Sequence, residues 1–507
     1  MYPQEVPTER TRRVLPILLA AALTAALAFL PAPRPQAIAV YHFNDFHGQV
    51  EAVVRKGREE GGLPRLVGLL GERRAEAAAE GRTPLALFAG DLFTGTAFST
   101  LFQGEPEVRV LSRAGLDGAT TGNHEWDFGS EVLRRRAEEA SFPLLLCNVT
   151  AEPGSPVFWS TYRVRRAGSL RVGLTGVTTP DTPLTTAPGN TRGYRFEDPV
   201  ASLRALFAAH GSEGDLWIVL SHCGFEEDRR IAREVPGVAL VVGGHDHKEL
   251  EKPWLEKGVP IVQAGDRGRF LGEVLLTVQR GRVEEVEGRL LPVTPPAASD
   301  PAAEAFLAGF LKEEEERLGA PVGRLSAALS GDRILLRSQE APLGNLLTDA
   351  MRLASGADCA FLNGGAIRAG LPMGEVTGRD LYACLPFFDS LTTVELSGAD
   401  VKALLDRCAA MPLQDPPGGF LQVSGLTVLY EGGKAREVSV GGAPLDPGRS
   451  YTVACTQFLL SGGDGLAEFK NGRNARDWGI GLQELLRRTL SRPGFQPPGK
   501  EGRILRR

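Results

Sequence analysis

The run Ile38-Ala39-Val40-Tyr41-His42-Phe43-Asn44-Asp45-Phe46-His47 decides the fold. Its first part, IAVYHF, is a short apolar run of the kind that forms a strand buried on both faces. It then stops abruptly in Asn, Asp and His, which a buried strand does not need for packing. The same pattern returns downstream. PLALFAG leads into Gly90-Asp91, and LDGATT into Gly122-Asn123-His124-Glu125. DLWIVLSH ends at Ser221-His222, and VALVV is followed by Gly243-Gly244-His245-Asp246-His247. Helix-like stretches such as LPRLVGLLGERRAEAAAE and SEVLRRRAEEA lie between the runs. That alternation predicts a layered α/β domain, and strand ends in such folds line up along one edge where ligands bind.

The chain has only seven histidines, and five of them (His47, His124, His222, His245 and His247) fall in these strand-end loops. Packing alone does not concentrate them there. An Asp-x-His pair offers oxygen and imidazole nitrogen to one ion, a lone Asp after Gly can bridge two, and an Asn carbonyl with further His completes a second. Mixed imidazole and carboxylate ligation suits Zn, Mn, Fe or Co better than Ca. His42 reads as a structural residue inside its strand, and His210 as a cap at the end of a helix.

Length and composition bound the rest. A chain of 507 residues exceeds one hydrophobic core, so two domains are expected. The formal net charge of −5 excludes nucleic-acid binding driven by general positive charge. The six cysteines form no CxxC pair and mostly sit in apolar runs, which predicts buried thiols. Arg10, Arg12 and Arg13 precede an apolar run from Val14 to Leu30, the pattern of a secretory signal peptide or an uncleaved membrane anchor. The expected location is therefore outside the cytoplasmic membrane. Composition shifts divide the chain into residues 1–37, a catalytic domain at 38–296, a linking segment at 297–324 and a second mixed α/β domain at 325–507. Residues 300–318 read as one amphipathic helix with its EEEE run solvated.

Taken in order, DxH, GD, GNHE, a lone His and GHxH resemble the five blocks of calcineurin-like metallophosphoesterases. NGGAIR (363–368), LPFFDS (385–390) and SGGDG (461–465) are similar to the C-terminal domain of 5′-nucleotidases. The resemblance implies a four-layer α/β/β/α sandwich followed by a substrate-binding domain, two divalent metal ions (Zn, Mn or Co), and hydrolysis of nucleoside 5′-phosphates by an activated hydroxide. Carried over by position, Asp45, His47, Asp91 and His247 hold the first ion. Asp91, Asn123, His222 and His245 hold the second. His124 and Asp127 form a catalytic dyad. Phe387 and Phe458 clamp the base, Asp464 accepts from the ribose, Asn363 meets the base edge, and Arg333, Arg337 and Arg368 contact phosphate. The partner implied is a small nucleotide, with no nucleic acid and a membrane only through an anchor. The same two-domain plan also serves 2′,3′-cyclic nucleotide phosphodiesterases and nucleotide-sugar hydrolases. A non-catalytic nucleotide-binding protein is the reading from a different class. Phe388, next to Phe387, leaves open which ring faces the base.

Overall fold

A computed structural model describes residues 35–507 apart from Lys56, Pro188, Arg280 and Phe388. The signal or anchor segment lies outside these residues. No helix among the described residues is long and apolar enough to cross a membrane.

The first strand, Gln36–Phe43, sits in the middle of a five-stranded sheet. It pairs in parallel with Thr83–Ala89, which pairs in parallel with Gly118–Thr120. On its other side lies the antiparallel hairpin Phe270–Gln279 and Arg282–Pro292. A second sheet of six strands has Leu170–Thr178, Leu216–His222, Val238–Val242 and Val259–Val262 running in parallel. One core joins the two sheets, with Val40, Leu87 and Leu276 facing Leu174, Ile218 and Leu240. Tyr41, Phe43 and Phe88 point the other way, against helices that include Leu63–Ala79 and Glu105–Ala114. Val177, Val219 and Val241 likewise back onto Pro199–His210 and Phe225–Glu234. The layers are therefore helix, sheet, sheet, helix. Both faces of the central strands are covered, which explains why they read as continuous apolar runs.

Helix Pro301–Leu318 follows, with Pro at its first turn and the Asp300 side chain accepting from the Ala303 N–H at 2.8 Å. The EEEE run on it is not uniformly solvated. Glu314 is buried and lies 3.4 Å from Arg379. Ala303, Leu307 and Glu314 fall on one helical stripe, and that stripe packs inward. Phe310 on the same helix meets Phe102 edge to face.

The C-terminal part is built on a five-stranded sheet ordered Leu421–Ser424, Cys359–Asn363, Ser450–Thr456, Ser390–Ser397, Arg473–Gly481. One face carries helices Pro342–Ser355 and Leu482–Leu490, the other Gly398–Ala410 and a small four-stranded sheet. All six cysteines are free, and four of them are buried. The two halves touch where the Thr100 hydroxyl donates to the Pro386 carbonyl at 3.2 Å.

Candidate active site

The strand ends converge as the apolar runs require. Asp45 and His47 follow the first strand, Asp91 the second and Asn123 the third, while His222 ends one strand of the facing sheet and His245 and His247 follow another. Asp45, His47, Asp91, Asn123, His124 and His222 are buried, and His245 and His247 are partly so. The backbone there is unusual. Asp45, His47, Asp91, His245 and His247 all have positive φ, between 49° and 86°. Side chains other than glycine's avoid that region, and such strain collects where function over-determines the backbone. Gly122 allows a close approach, because a Cβ there would lie 2.1 Å from an Asp91 carboxylate oxygen.

The nitrogen and oxygen atoms face one another. His222 Nδ1 lies 2.7 Å from the Ala89 carbonyl, which only accepts, so Nδ1 carries a hydrogen. Its Nε2 has no hydrogen-bond partner and points at Asp91 Oδ2, 3.1 Å away. His47 repeats the arrangement, with Nδ1 donating to the Thr94 carbonyl at 2.9 Å and Nε2 lying 3.1 Å from His247 Nε2. His247 Nε2 is also 3.3 Å from Asp45 Oδ1, and His245 Nδ1 is 3.1 Å from Asn123 Oδ1. Imidazole nitrogens and carboxylate oxygens crowd together across the cluster, an arrangement that suits a cation between them. Asp45, His47 and His247 form one group able to hold a cation; Asp91, His222 and His245 form another. Backbone carbonyls fixing imidazole tautomers are the usual support of such ligand sets.

His124 lies beside the cluster. Its Nδ1 is 2.6 Å from Asp127 Oδ2, and its backbone N–H donates to Asp91 Oδ1 at 3.0 Å. Burial opposes charge on this ring, but the carboxylates of Asp91 and Asp127 outweigh it, and the pKa is raised.

A single cavity of about 700 Å³ joins this cluster to the C-terminal part. His47, Asp91, Asn123, His124, Asp127, His245 and His247 lie on one side; Arg333, Arg337, Asn363, Arg368, Phe387, Phe458 and Asp464 line the other. His222, beneath the surface, does not line it. Phe387 stacks on His124 at 5.8 Å and carries the Arg368 guanidinium over its ring. Phe458 packs on Gly463, and Asp464 accepts from the Asn363 amide at 2.7 Å. Burial raises the Asp464 pKa despite that bond. Burial, with Arg368 and Arg333 close by, lowers Arg337 to about 9. Arg333 is half exposed and pairs with Asp415 at 2.9 Å. Phe388 lies outside the described residues.

Three residues with no assigned role in the sequence reading matter here. Glu125 accepts from the backbone N–H groups of Asp91 at 2.9 Å and Phe93 at 3.2 Å, clamping the Asp91 loop. Burial and Asp91 push its pKa up to about 7. Asn190 donates to the Asp127 carbonyl at 2.7 Å, and nothing in the sequence near it signals this. Arg267 lines the cavity beside His47. The other two histidines behave differently. His42 is buried against Gly272 and, through burial, held neutral down to about pH 3. His210 ends its helix but does not cap it, since its ring bonds to Glu213 at 2.8 Å and to the Tyr162 hydroxyl at 3.0 Å.

Residues 38–249 match the family model of the calcineurin-like phosphoesterases, and residues 321–471 that of the 5′-nucleotidase C-terminal domain. The crystal structure of a 5′-nucleotidase precursor from Thermus thermophilus superposes with a TM-score of 0.83 at 31% identity, over 93% of this chain and 99% of that one. The 5′-nucleotidase of Bos taurus is 29% identical over 94% of this chain and 92% of its own length. Protein UshA of Escherichia coli is 27% identical over 91% and 93% respectively. The chain belongs to the 5′-nucleotidase family and is a metal-dependent phosphoester hydrolase with a calcineurin-like catalytic domain.

Proposed function

We propose that the protein hydrolyses nucleoside 5′-phosphates with two divalent ions at the strand-end cluster, and that it does so after export. The observation that carries the reading is the shared cavity: one space of about 700 Å³ is walled by the histidine–aspartate cluster and by Phe387, Phe458 and Asp464. The donor set fits the ions, because imidazole nitrogens with fixed tautomers and two buried carboxylates meet without protons enough to separate them. Asp45, His47, Asp91 and His247 would hold one ion, and Asp91, Asn123, His222 and His245 the other. Ions so held supply Lewis acidity, activating water and offsetting phosphoryl charge.

The chain's own residues do the rest. His124, whose pKa the Asp91 and Asp127 carboxylates raise against burial, faces the cavity and stabilises negative charge on a phosphoryl oxygen as the leaving group departs. Arg337 and Arg368 make no ion pair among the described residues, and both are suited to phosphate oxygens. Phe387 and Phe458 stack on the base, and Asp464, with Asn363 donating to it, accepts from ribose hydroxyls. Substrate therefore binds between the walls, with the phosphate toward the cluster and the base toward the glycine-rich C-terminal loops. The test is chelation. Rigorous metal removal is expected to abolish hydrolysis of adenosine 5′-phosphate, and Mn, Co or Zn to restore it. Full activity in metal-free protein would end the reading.

A further inference from the structure

Arg267 belongs to the turn Gly265-Asp266-Arg267-Gly268, on the catalytic-domain side of the cavity with His47, Asp91 and His247. Its φ is 54°, in the region that favours glycine, and its backbone N–H donates to the Asp45 carbonyl at 2.7 Å. A long cationic side chain in a strained turn needs a reason. Among the described residues, one of its five N–H donors is engaged, by Gln49 Oε1 at 3.1 Å. Asp266 pairs with it only at long range. Asp266 Oδ1 is taken by Arg269 at 2.6 and 3.0 Å, and its Oδ2 lies 3.8 Å from Arg267 and 3.7 Å from His247. The side chain is two-thirds buried, with 33% exposed. Arg368 lines the C-terminal side of the same cavity, and Arg267 is among the charges that lower its pKa, after burial itself. Two incompletely matched guanidinium groups on either side of one polar cluster suit an oxyanion with several acceptor oxygens.

We propose that Arg267 is a substrate-binding residue that donates hydrogen bonds to the phosphoryl group being transferred, from the catalytic-domain wall and across from Arg368. The inference rests on the phosphohydrolase reading above. It concerns the phosphoryl group and not the base, so Arg267 acts alike on every phosphoester that enters.

The experiment measures inorganic phosphate binding to the metal-loaded protein by titration calorimetry. It uses Arg267→Gly, which relieves the positive φ; Arg267→Asn, which also tolerates it; and Arg267→Lys, which keeps the charge. Expected in the Gly and Asn variants is a Kd for phosphate weakened by about 10- to 100-fold. Metal content is expected to stay unchanged, the melting temperature to move by less than about 4 °C, and Lys to restore part of the affinity. Hydrolysis of adenosine 5′-phosphate and p-nitrophenyl phosphate should fall by the same factor. An unchanged phosphate Kd in both variants overturns the proposal. So does loss of metal or of thermal stability in both, which would make Arg267 a structural brace for the Asp45 loop. A wild-type protein that bound phosphate but cleaved no nucleotide would instead sink the nucleotidase reading and leave this inference standing.

Discussion

The two walls of the cavity are built on different principles. On the catalytic-domain wall, Asp45, Asp91 and His222 are at most 2% exposed, and each has a second partner that fixes it: the His245 N–H for Asp45, the His124 N–H for Asp91, the Ala89 carbonyl for His222. Six of its residues hold positive φ (Asp45, His47, Asp91, His245, His247 and Arg267), against Asp464 among those named on the other wall. On the C-terminal wall, Phe387 and Phe458 are half-buried, Arg333 is half exposed, and the cavity-lining groups are tied to one another by the Asn363–Asp464 bond and by the Arg368 guanidinium over the Phe387 ring. The wall that has to hold charges at fixed separations is locked and strained, while the wall that has to admit a ligand is open. Errors of position are costly for bond breaking, because misplaced catalytic groups lose rate steeply, and recognition by stacking tolerates some play.

Substitutions on the two walls should therefore differ in kind. The largest effect is expected for Asp91→Ala, which removes a carboxylate lying 3.9 Å from His47 of one group and 3.1 Å from His222 of the other. Bound metal should fall and activity should drop by more than the roughly 10²–10³-fold that one stabilising donor is worth. Metal analysis showing full occupancy in this variant would break the comparison at its strongest point. His124→Ala should come next, lowering kcat by about 10²–10³-fold while metal content stays at the wild-type level. Losing metal there would make His124 a ligand and leave the Asp127 pairing unexplained.

Smaller effects belong to the other wall. Phe458→Ala should cost about 1–3 kcal/mol in kcat/KM for nucleotides, the worth of one stacked base, and little for p-nitrophenyl phosphate. If the ring only packs against Gly463, melting temperature and both activities should fall together. The smallest effect concerns the helix between the halves. Burial, partly offset by Arg379, raises Glu314 from 4.5 to about 7. The folded state thus binds more protons than the unfolded state between those values, and stability falls as pH rises from about 4.5 to 7. Glu314→Gln should remove that slope and gain about 1–3 kcal/mol relative to wild type at pH 8, with the difference vanishing near pH 4. Chemical denaturation of both proteins at the two pH values checks it, and equal stabilities at pH 8 would mean that Glu314 is ionised without penalty.

The catalytic wall is legible in the sequence because its chemistry interrupts the pattern of the fold. His and Asp following apolar strands have no packing purpose, so Asp45, His47, Asp91, His222, His245 and His247 stand out by type and place. The C-terminal wall is harder to read. A Phe is ordinary core material, and Phe387 and Phe458 are assigned a role only through their place in LPFFDS and TQFLLSGGDG. Glu314 escapes a reading by charge because four successive glutamates look like a solvated face. Its spacing from Ala303 and Leu307 puts it on the inward stripe, where a pattern based on charge alone does not look. Arg267 and Asn190 carry no signal, since a turn residue's partners are set by folds of the chain far away in sequence.

The central claim is a division of labour: the catalytic wall breaks the ester and the C-terminal wall chooses the nucleotide. It is tested most directly by the ratio of kcat/KM for adenosine 5′-phosphate over p-nitrophenyl phosphate, measured in His124→Ala and Asp464→Ala beside wild type. His124→Ala is expected to lower both terms and leave the ratio unchanged to within about threefold, and Asp464→Ala to lower the ratio about tenfold or more, as loss of a hydrogen bond to a charged group does. A ratio that moves in His124→Ala and stays fixed in Asp464→Ala would contradict it.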